Sequence, residues 1–307
     1  METTKKSFSG VHFMLPTPFN DNGKVDYKSL GNLVELSVNS GCSGVVTLGV
    51  MGEANRMLDS ERTSVLEFLN KAMNNRLPIT VGVSSESNFV LQSRIIESQD
   101  LGASAFLICP PRMNKLNEIT LLDYFRTAQE SSEIPIVLQD LPSESGIFLN
   151  PEIIKKLKTE FPLIEMLKLE DPPTPQKISK ILETIPDILI FGGLGGAFFL
   201  EELQRGASGT MTGFAYPEVL TSIYQNVKVQ NLDKAINTFY KWLPLIRYEN
   251  SVGIGLSIRK NVLKHRNFIK SSNVRKPTPE IDTETLEELK SLLSTMKLDE
   301  DSENFSL

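Results

Sequence analysis

Cysteine, histidine and tryptophan are scarce in this chain. Its 307 residues include two cysteines, two histidines and one tryptophan. Cys42 and Cys109 lie in apolar segments without CxxC spacing, which favours reduced core thiols over a disulfide framework. With only His12 and His265, and without an HExxH motif, the sequence predicts no transition-metal centre.

Long apolar runs are also missing. No uninterrupted apolar segment reaches the roughly 20 residues that a membrane-spanning helix needs. The N-terminal residues 1–6 lack the apolar core of a secretion signal. We therefore expect a cytoplasmic protein without a membrane partner.

An excess of positive charge is absent as well. The net charge is −6 at pH 7, which argues against a nucleic-acid partner. One local basic segment is the exception, and we interpret it as a solvated helix face followed by a loop. Its residues are Arg259, Lys260, Lys264, His265, Arg266, Lys270, Arg275 and Lys276.

Short apolar runs alternate with amphipathic segments from the start of the chain to about residue 215. This alternation is typical of parallel strands joined by helices. Hydrophobic residues make up 40% of the chain, enough for a sizeable core. We predict eight strands, near residues 10–17, 44–48, 78–83, 105–109, 136–139, 164–168, 188–191 and 209–212.

Eight strand–helix units favour an α/β fold of the closed (β/α)₈ TIM-barrel class, because closure at eight strands removes the sheet edges. An open doubly wound sheet is the alternative, weakened by the lack of a GxGxxG turn after the first strand. We assign 1–216 to the barrel, 217–297 to a C-terminal helical extension and 298–307 to an acidic tail. The helices predicted in the extension are 217–229, 232–248 and 283–296.

Catalytic groups of such barrels lie at the C-terminal ends of the strands and in the loops that follow. Lys168 stands near the end of the apolar segment 163–169, just before a proline-rich turn. Burial disfavours the charged form of an amine, and a neutral amine can attack a carbonyl to form a Schiff base. The alternative is a structural lysine that reaches solvent at the strand end.

Several motifs together resemble the dihydrodipicolinate synthase and N-acetylneuraminate lyase family of Schiff-base aldolases, over nearly the whole chain. Thr17-Pro18-Phe19 resembles the end of the family's first strand, and residues 49–53 resemble its Gly-x-x-Gly-Glu turn. Arg275-Lys276-Pro277 is similar to its C-terminal Arg-x-Pro. Lys168 falls on the family's Schiff-base lysine. The resemblance also implies a homo-oligomer, a dimer or a tetramer.

The chain departs from the family's pattern at four places. Val50 and Met51 replace two hydroxyl residues that hold the carboxylate of a 2-keto acid, and Gln139 replaces a proton-relaying tyrosine. Glu144 stands where the synthase branch has an arginine for its aldehyde substrate, which makes dihydrodipicolinate synthesis an unfavoured function. Arg112 stands where an aromatic pair is expected, and it is a candidate carboxylate clamp or interface ion pair.

The predicted catalytic residues are Lys168, Gln139 and Thr17. The predicted substrate-binding residues are Val50, Met51, Gly52, Glu53, Arg112, Gly192, Gly193 and Thr212. Glu53 has a structural alternative, since a carboxylate at the start of a helix often caps N–H groups. The glycines 192–196 have one too, as a tight turn. Asp140, Glu170 and Asp171 are possible acid–base groups if Gln139 cannot fill the tyrosine's role.

The sequence therefore predicts a Schiff-base-forming lyase, an aldolase or a dehydratase, that acts on a 2-keto acid or a sugar-acid-type carbonyl through Lys168. The iminium nitrogen itself would serve as the electron sink, so the reaction needs no metal or organic cofactor. A non-catalytic barrel paralogue with a binding or assembly role is the alternative. The loss of the tyrosine and of both hydroxyl residues favours that alternative.

Overall fold

A computed structural model describes residues 8–298. Eight parallel strands close into a barrel in which each strand pairs with its neighbours in the sequence and β8 pairs with β1. This confirms the predicted (β/α)₈ TIM barrel. The strands are β1 (Gly10–Met14), β2 (Gly44–Thr47), β3 (Ile79–Gly82), β4 (Ala105–Ile108), β5 (Ile136–Asp140), β6 (Ile164–Leu169), β7 (Leu189–Gly192) and β8 (Gly209–Thr212).

Helices surround the barrel and continue beyond it. They are α1 (Tyr27–Asn39), α2 (Asp59–Met73), α3 (Asn88–Asp100), α4 (Glu118–Ser131), α5 (Pro142–Ser145), α6 (Pro151–Glu160), α7 (Thr174–Thr184), α8 (Phe199–Gln204), α9 (Pro217–Lys228), α10 (Leu232–Glu249), α11 (Gly255–His265) and α12 (Thr283–Thr295). As the Asn150-Pro151 pair predicts, the Asn150 side chain accepts a hydrogen bond from the Ile153 N–H at the start of α6.

Alternation along the strands decides which side chains enter the barrel. Val137 of β5 and Met166 of β6 belong to the apolar cluster of the barrel interior, whereas Leu138 and Leu167 pack against the surrounding helices. Successive side chains of a strand point to opposite faces. The side chains two residues further on, at the C-terminal end of the barrel, therefore also point inward.

Aromatic packing closes the opposite end of the barrel. The His12 ring stacks on Phe8 and meets Phe191 edge to face. Its Nε2 lies 2.6 Å from the Phe8 carbonyl oxygen, and burial lowers the pKa of His12 to about 4. His12 is therefore a neutral core residue of the closed N-terminal end.

The segment after β8 differs in two ways from the sequence-based expectation. Helix α9 packs against β1 and α1, which is the position of the eighth barrel helix, so we propose a barrel that extends to residue 228. The basic segment begins with a helix, α11, as expected, but Arg259 and Lys260 on this helix are only 7% and 0% exposed. The interpretation of these two residues as a solvated face is wrong.

Two expectations remain, an acidic tail and the lack of a membrane-spanning helix. Of the predicted acidic tail, 298–307, all but Leu298 lies outside the described residues. Among residues 8–298, no helix has the length and apolar character required to cross a bilayer.

Candidate functional site

Lys168 lies inside the barrel at its C-terminal end. Its place on β6, two residues after the inward-pointing Met166, directs the side chain inward, and the residue is only 2% exposed. The Nζ atom lies 3.2 Å from the Met14 Sδ and 2.8 Å from the Glu170 Oε2. The Lys168 amine is therefore buried between a carboxylate and a thioether. The carboxylate can accept its proton, and the surrounding protein shields the amine from most of the water.

Glu170 connects Lys168 to Gln139. Its Oε2 accepts a hydrogen bond from the Gln139 Nε2 at 2.7 Å and lies 2.8 Å from the Lys168 Nζ. Gln139 and Lys168 are register partners on β5 and β6, and both are almost fully buried. The three side chains thus form one polar group in an apolar barrel, with Glu170 as the carboxylate between the amine and the amide.

Glycines at the end of β7 leave room for two carboxylates. A Cβ atom on Gly193 would lie 2.4 Å from the Glu170 Oε1, and one on Gly192 would overlap the Glu202 carboxylate. Gly192 and Gly193 were predicted to contact substrate. Their missing side chains let Glu170 and Glu202 approach the strand, and their contact with substrate stays a prediction.

The turn after β2 presents apolar side chains to the site. Val50 is 43% exposed, and Met51 lies 3.0 Å through its sulfur from the Arg259 Nη1. The Thr17 hydroxyl donates a hydrogen bond of 2.7 Å to the carbonyl oxygen of Gly52 and so supports the backbone of this turn. Thr17 thus has a structural hydrogen bond, and its part in a proton relay stays a prediction.

Glu53 is turned away from the barrel mouth. Its Oε1 lies 2.6 Å from the Lys260 Nζ, and its Oε2 accepts a hydrogen bond of 2.8 Å from the Arg275 N–H. The Lys260 and Arg275 cations both lie over the Phe19 ring, at 4.5 Å and 4.3 Å from its centre. The prediction that Glu53 contacts substrate is not supported, since both oxygens bind the C-terminal segment.

Thr212 also faces away from the interior. Met211 belongs to the interior cluster, so the next residue of β8 points toward the helices. The Thr212 Cγ2 lies 4.0 Å from the position that a Cβ on Gly196 would occupy. The predicted contact of Thr212 with substrate is therefore replaced by packing behind the turn after β7.

A cavity of about 520 Å³ opens at the C-terminal ends of β2 to β5. Val50 and Gln139 are among its lining residues, so the cavity reaches the amide that contacts Glu170. Cys109 lines it too, but burial raises the pKa of this thiol to about 12, which makes it a poor nucleophile. Apolar side chains such as Leu48, Val90 and Leu107 make up much of the remaining wall. The polar side chains between them are Asn55, Ser84, Ser85, Glu86, Arg94 and Glu144.

Two arginines line this cavity, and neither is the predicted Arg112. Arg62 and Arg94 line it, and both contact the Asp59 carboxylate, at 3.5 Å and 2.9 Å. Arg112 is exposed and is not among the lining residues, and its backbone N–H donates to Glu86 Oε2 at 2.9 Å. The structure therefore does not support Arg112 as a carboxylate clamp of this chain.

Comparison with known proteins agrees with the fold. The sequence model of the Dihydrodipicolinate synthetase family matches residues 7–296. The chain belongs to this family. An L-2-keto-3-deoxyarabonate dehydratase of Azospirillum brasilense is 27% identical over 285 residues, which cover 91% of this chain and 92% of that enzyme.

Two synthases of the family are similar as well. A 4-hydroxy-tetrahydrodipicolinate synthase of Methanothrix thermoacetophila is 31% identical over 244 residues, covering 78% of this chain and 81% of the synthase. The crystal structure of a dihydrodipicolinate synthase of Rhodopseudomonas palustris has 34% identity and a TM-score of 0.89. That similarity covers 94% of this chain and 97% of the synthase chain.

Membership of the dihydrodipicolinate synthetase family makes the chain an enzyme. It is a class I lyase that acts on a small keto-acid-type carbonyl substrate through Schiff-base chemistry. The resemblance and the enzyme class predicted from the sequence are thereby confirmed, and the comparisons give the non-catalytic alternative no support.

Proposed function

We propose that the enzyme dehydrates a 2-keto-3-deoxy sugar acid through a Schiff base on Lys168. The observation that carries this proposal is the Glu170 carboxylate, which lies 2.8 Å from the Lys168 amine and 2.7 Å from the Gln139 amide. It supplies a titratable oxygen beside Gln139, which stands where the family's tyrosine would be. A carboxylate in this position can take a proton from the carbon next to an iminium.

The reaction proceeds in balanced steps. The Lys168 amine attacks the C2 carbonyl, and water leaves as the iminium forms. Glu170 then takes a proton from C3, and the electron pair of that bond forms the enamine. The enamine expels the C4 hydroxyl, which takes the proton from Glu170 and leaves as water. Hydrolysis of the remaining iminium returns the free amine and the dehydrated product.

The cavity fits a polyhydroxylated substrate. Its volume of about 520 Å³ exceeds the needs of a three-carbon keto acid, and hydroxyl, amide and carboxylate groups line its wall. Sugar hydroxyls can donate to Glu86 and Glu144 and accept from Asn55, all of which line the cavity. Glu144 would repel a second substrate that carries a carboxylate, so the same wall disfavours dipicolinate-type condensation.

A whole-length relative supports dehydration over aldol cleavage. The Azospirillum brasilense protein named as a dehydratase matches this chain over 92% of its own length. At 27% identity the match supports the reaction class without fixing the sugar.

Product analysis tests the proposal. We would incubate the enzyme with the 2-keto-3-deoxypentonates and follow the products by mass spectrometry. Dehydration gives one product that is lighter by one water, whereas aldol cleavage gives two fragments. Glu170→Gln should lower turnover by about 100-fold or more, because removing a general base typically costs 10²- to 10⁴-fold. The matched control Glu165→Gln makes the same change on β6, the strand that Glu170 follows, and should retain activity. Two fragments from the wild type would reject the dehydratase.

We also propose a homo-oligomer, a dimer or a tetramer. Phe89 and Ile119, at the starts of the neighbouring helices α3 and α4, are 79% and 82% exposed. Large exposed apolar side chains on adjacent elements are typical of subunit interfaces. Light scattering should give a multiple of the 34.3 kDa chain mass, and a monomer at micromolar concentration would contradict this proposal.

The cytoplasm is the proposed location. Cys42 and Cys109 are both free and buried, which suits a compartment that keeps thiols reduced. Fractionation of the source cells with an antibody against the chain tests this location, and recovery in a secreted fraction would contradict it.

A further inference from the structure

Arg259 is a buried cation at the mouth of the barrel. It lies on α11, and only 7% of its surface is exposed. Its Nη1 contacts the Met51 sulfur at 3.0 Å, and its Nε has no hydrogen-bond partner among the described residues. A thioether is a weak acceptor, so the guanidinium is poorly satisfied for a buried group with five N–H donors.

The neighbouring Glu249 carboxylate offsets the charge of Arg259 only in part. The Glu249 Oε2 lies 3.5 Å from the Arg259 Nε and also accepts a hydrogen bond of 3.1 Å from the Ala215 N–H. The Oε1 of Glu249 has no hydrogen-bond partner among the described residues. Burial raises the pKa of Glu249 to about 7 although Arg259 acts in the opposite direction. At neutral pH the pair therefore retains part of the positive charge of Arg259.

The fold brings this charge to the reacting group. A Cβ on Gly195, whose φ is +68°, would lie 2.8 Å from the Arg259 Nη2, so the turn after β7 needs glycine to admit the guanidinium. Two residues earlier, Gly193 admits the Glu170 carboxylate in the same way. Arg259 and Glu170 thus flank one turn. Burial lowers the pKa of Arg259, while the negative charges of Glu249 and Glu170 act in the opposite direction.

From this arrangement we infer that Arg259 is a substrate-binding residue that forms an ion pair with the carboxylate of the 2-keto acid attached to Lys168. The inference rests on the proposed function, since it assigns the part of that substrate next to the reacting carbonyl. The guanidinium would supply the donors that Val50 and Met51 lack. Carboxylate oxygens would replace the Met51 sulfur on Nη1, which requires only rotation of a flexible methionine side chain.

An ion pair at this position has a second effect. A substrate carboxylate near Glu170 is repelled by it, and the positive charge of Arg259 offsets this repulsion. Arg259 should therefore select carbonyl compounds that carry an adjacent carboxylate over neutral ones. The structural alternative, in which Arg259 merely fills space on α11, predicts no such selection.

The test compares pyruvate with methyl pyruvate, in which a neutral methyl ester replaces the carboxylate. Adducts on Lys168 are trapped with borohydride over a range of probe concentrations in the wild type, Arg259→Gln and Arg259→Lys. Lys264→Gln is the matched control, since it removes one charge from an exposed position of the same helix. Circular dichroism checks that each variant is folded.

We expect Arg259→Gln to raise the half-saturating pyruvate concentration by about 10- to 100-fold, because hydrogen bonds to charged groups contribute about 1.5–3 kcal/mol. The half-saturating concentration of methyl pyruvate should change by less than about threefold. Arg259→Lys should restore part of the loss for pyruvate, and Lys264→Gln should match the wild type. An equal change for both probes, or no change for pyruvate, would overturn the inference while the proposed function stands.

A failure of the proposed function gives a different result. If the folded wild type forms no adduct with either probe, Schiff-base formation with these carbonyls fails whatever Arg259 does. Calorimetric titration of the wild type and Arg259→Gln with pyruvate then decides the anion site alone. Pyruvate binding to the wild type that is lost in Arg259→Gln supports the anion site. Equal binding to both proteins, or binding to neither, overturns it.

Discussion

At the scale of single residues, Glu202 shows how burial changes a carboxyl group beside the site. Its Oε1 accepts a 2.5 Å hydrogen bond from the Thr174 hydroxyl, and its Oε2 has no hydrogen-bond partner among the described residues. Burial raises the pKa of Glu202 from 4.5 to about 7. The folded protein therefore retains this proton at pH values where the unfolded chain has released it.

This shift predicts a specific pH dependence of stability. Below pH 4.5 Glu202 is protonated in both states, and between pH 4.5 and pH 7 only the unfolded state ionises. The free energy of unfolding should therefore fall by about 3 kcal/mol across this window and level off above it. Glu202→Gln keeps an acceptor for Thr174 but cannot ionise, so its curve should lack this fall. Urea titrations at pH 4.5 and pH 8 measure the free energy of unfolding of both proteins. The same pH dependence in wild type and Glu202→Gln would contradict the assignment. Glu183→Gln, at an exposed position, is the control.

Sequence alone predicts the site residues that depend on local pattern. Lys168 and Gln139 follow from their positions at the ends of apolar strand segments and from the family resemblance, and both are buried in the structure. Glu170 was only one of three acidic candidates, because no local signal shows that its carboxylate turns back toward Lys168. Arg259 was read as solvated, since its contact with Met51 joins residues 208 positions apart. Long-range contacts of this kind leave no mark on the local pattern.

At the scale of elements, the turn after β7 sets the position of Glu170. Gly193→Ala would place a methyl group 2.4 Å from the Glu170 Oε1 and displace a flexible side chain without a backbone clash. We expect activity to fall by about 100-fold, since small misplacements of reacting groups can have such effects, with little change in unfolding free energy. Gly31→Ala on α1, whose new methyl would lie 3.6 Å from Phe68, is the control. That change should retain activity and stabilise by about 0.5–1 kcal/mol. Retained activity in Gly193→Ala would show that Glu170 does not need this position.

The cores of the strands are predictable from the sequence, and their ends are less so. The first strand was expected to reach residue 17, but β1 ends at Met14 and residues 15–17 enter the loop that holds Thr17 against Gly52. A helix was expected in the basic segment, but not its burial, because the charged residues Arg259 and Lys260 occupy the buried face of α11, where an apolar stripe would normally lie.

At the scale of the whole molecule, a buried ion pair joins the barrel to the C-terminal segment. Lys260 on α11 and Glu53 in the turn after β2 are both 0% exposed and 2.6 Å apart. The Lys260 Nζ also donates to the Asn273 carbonyl oxygen at 2.8 Å, and the Arg275 guanidinium pairs with Glu61 at the start of α2. The turn that borders the cavity is thus held from behind by residues more than 200 positions away in the sequence.

Removing one partner of this pair should therefore have a large effect. Lys260→Met leaves the Glu53 charge buried, and we expect the free energy of unfolding to fall by about 3–5 kcal/mol. Lys264→Met, on an exposed position of the same helix, should change it by less than about 0.5 kcal/mol. Urea denaturation at pH 7 measures both, and a loss below about 1 kcal/mol in Lys260→Met would show that the pair does not hold the turn.

The most direct test of the whole account is borohydride trapping followed by intact and peptide mass analysis. Wild type and Lys168→Ala are incubated with a panel of 2-keto acids and 2-keto-3-deoxy sugar acids, reduced and digested. The account predicts an adduct on the peptide that contains Lys168, formed with a 2-keto-3-deoxy sugar acid and absent from the variant. An adduct on another lysine, or none across the panel with the wild type folded, would contradict Schiff-base chemistry at Lys168.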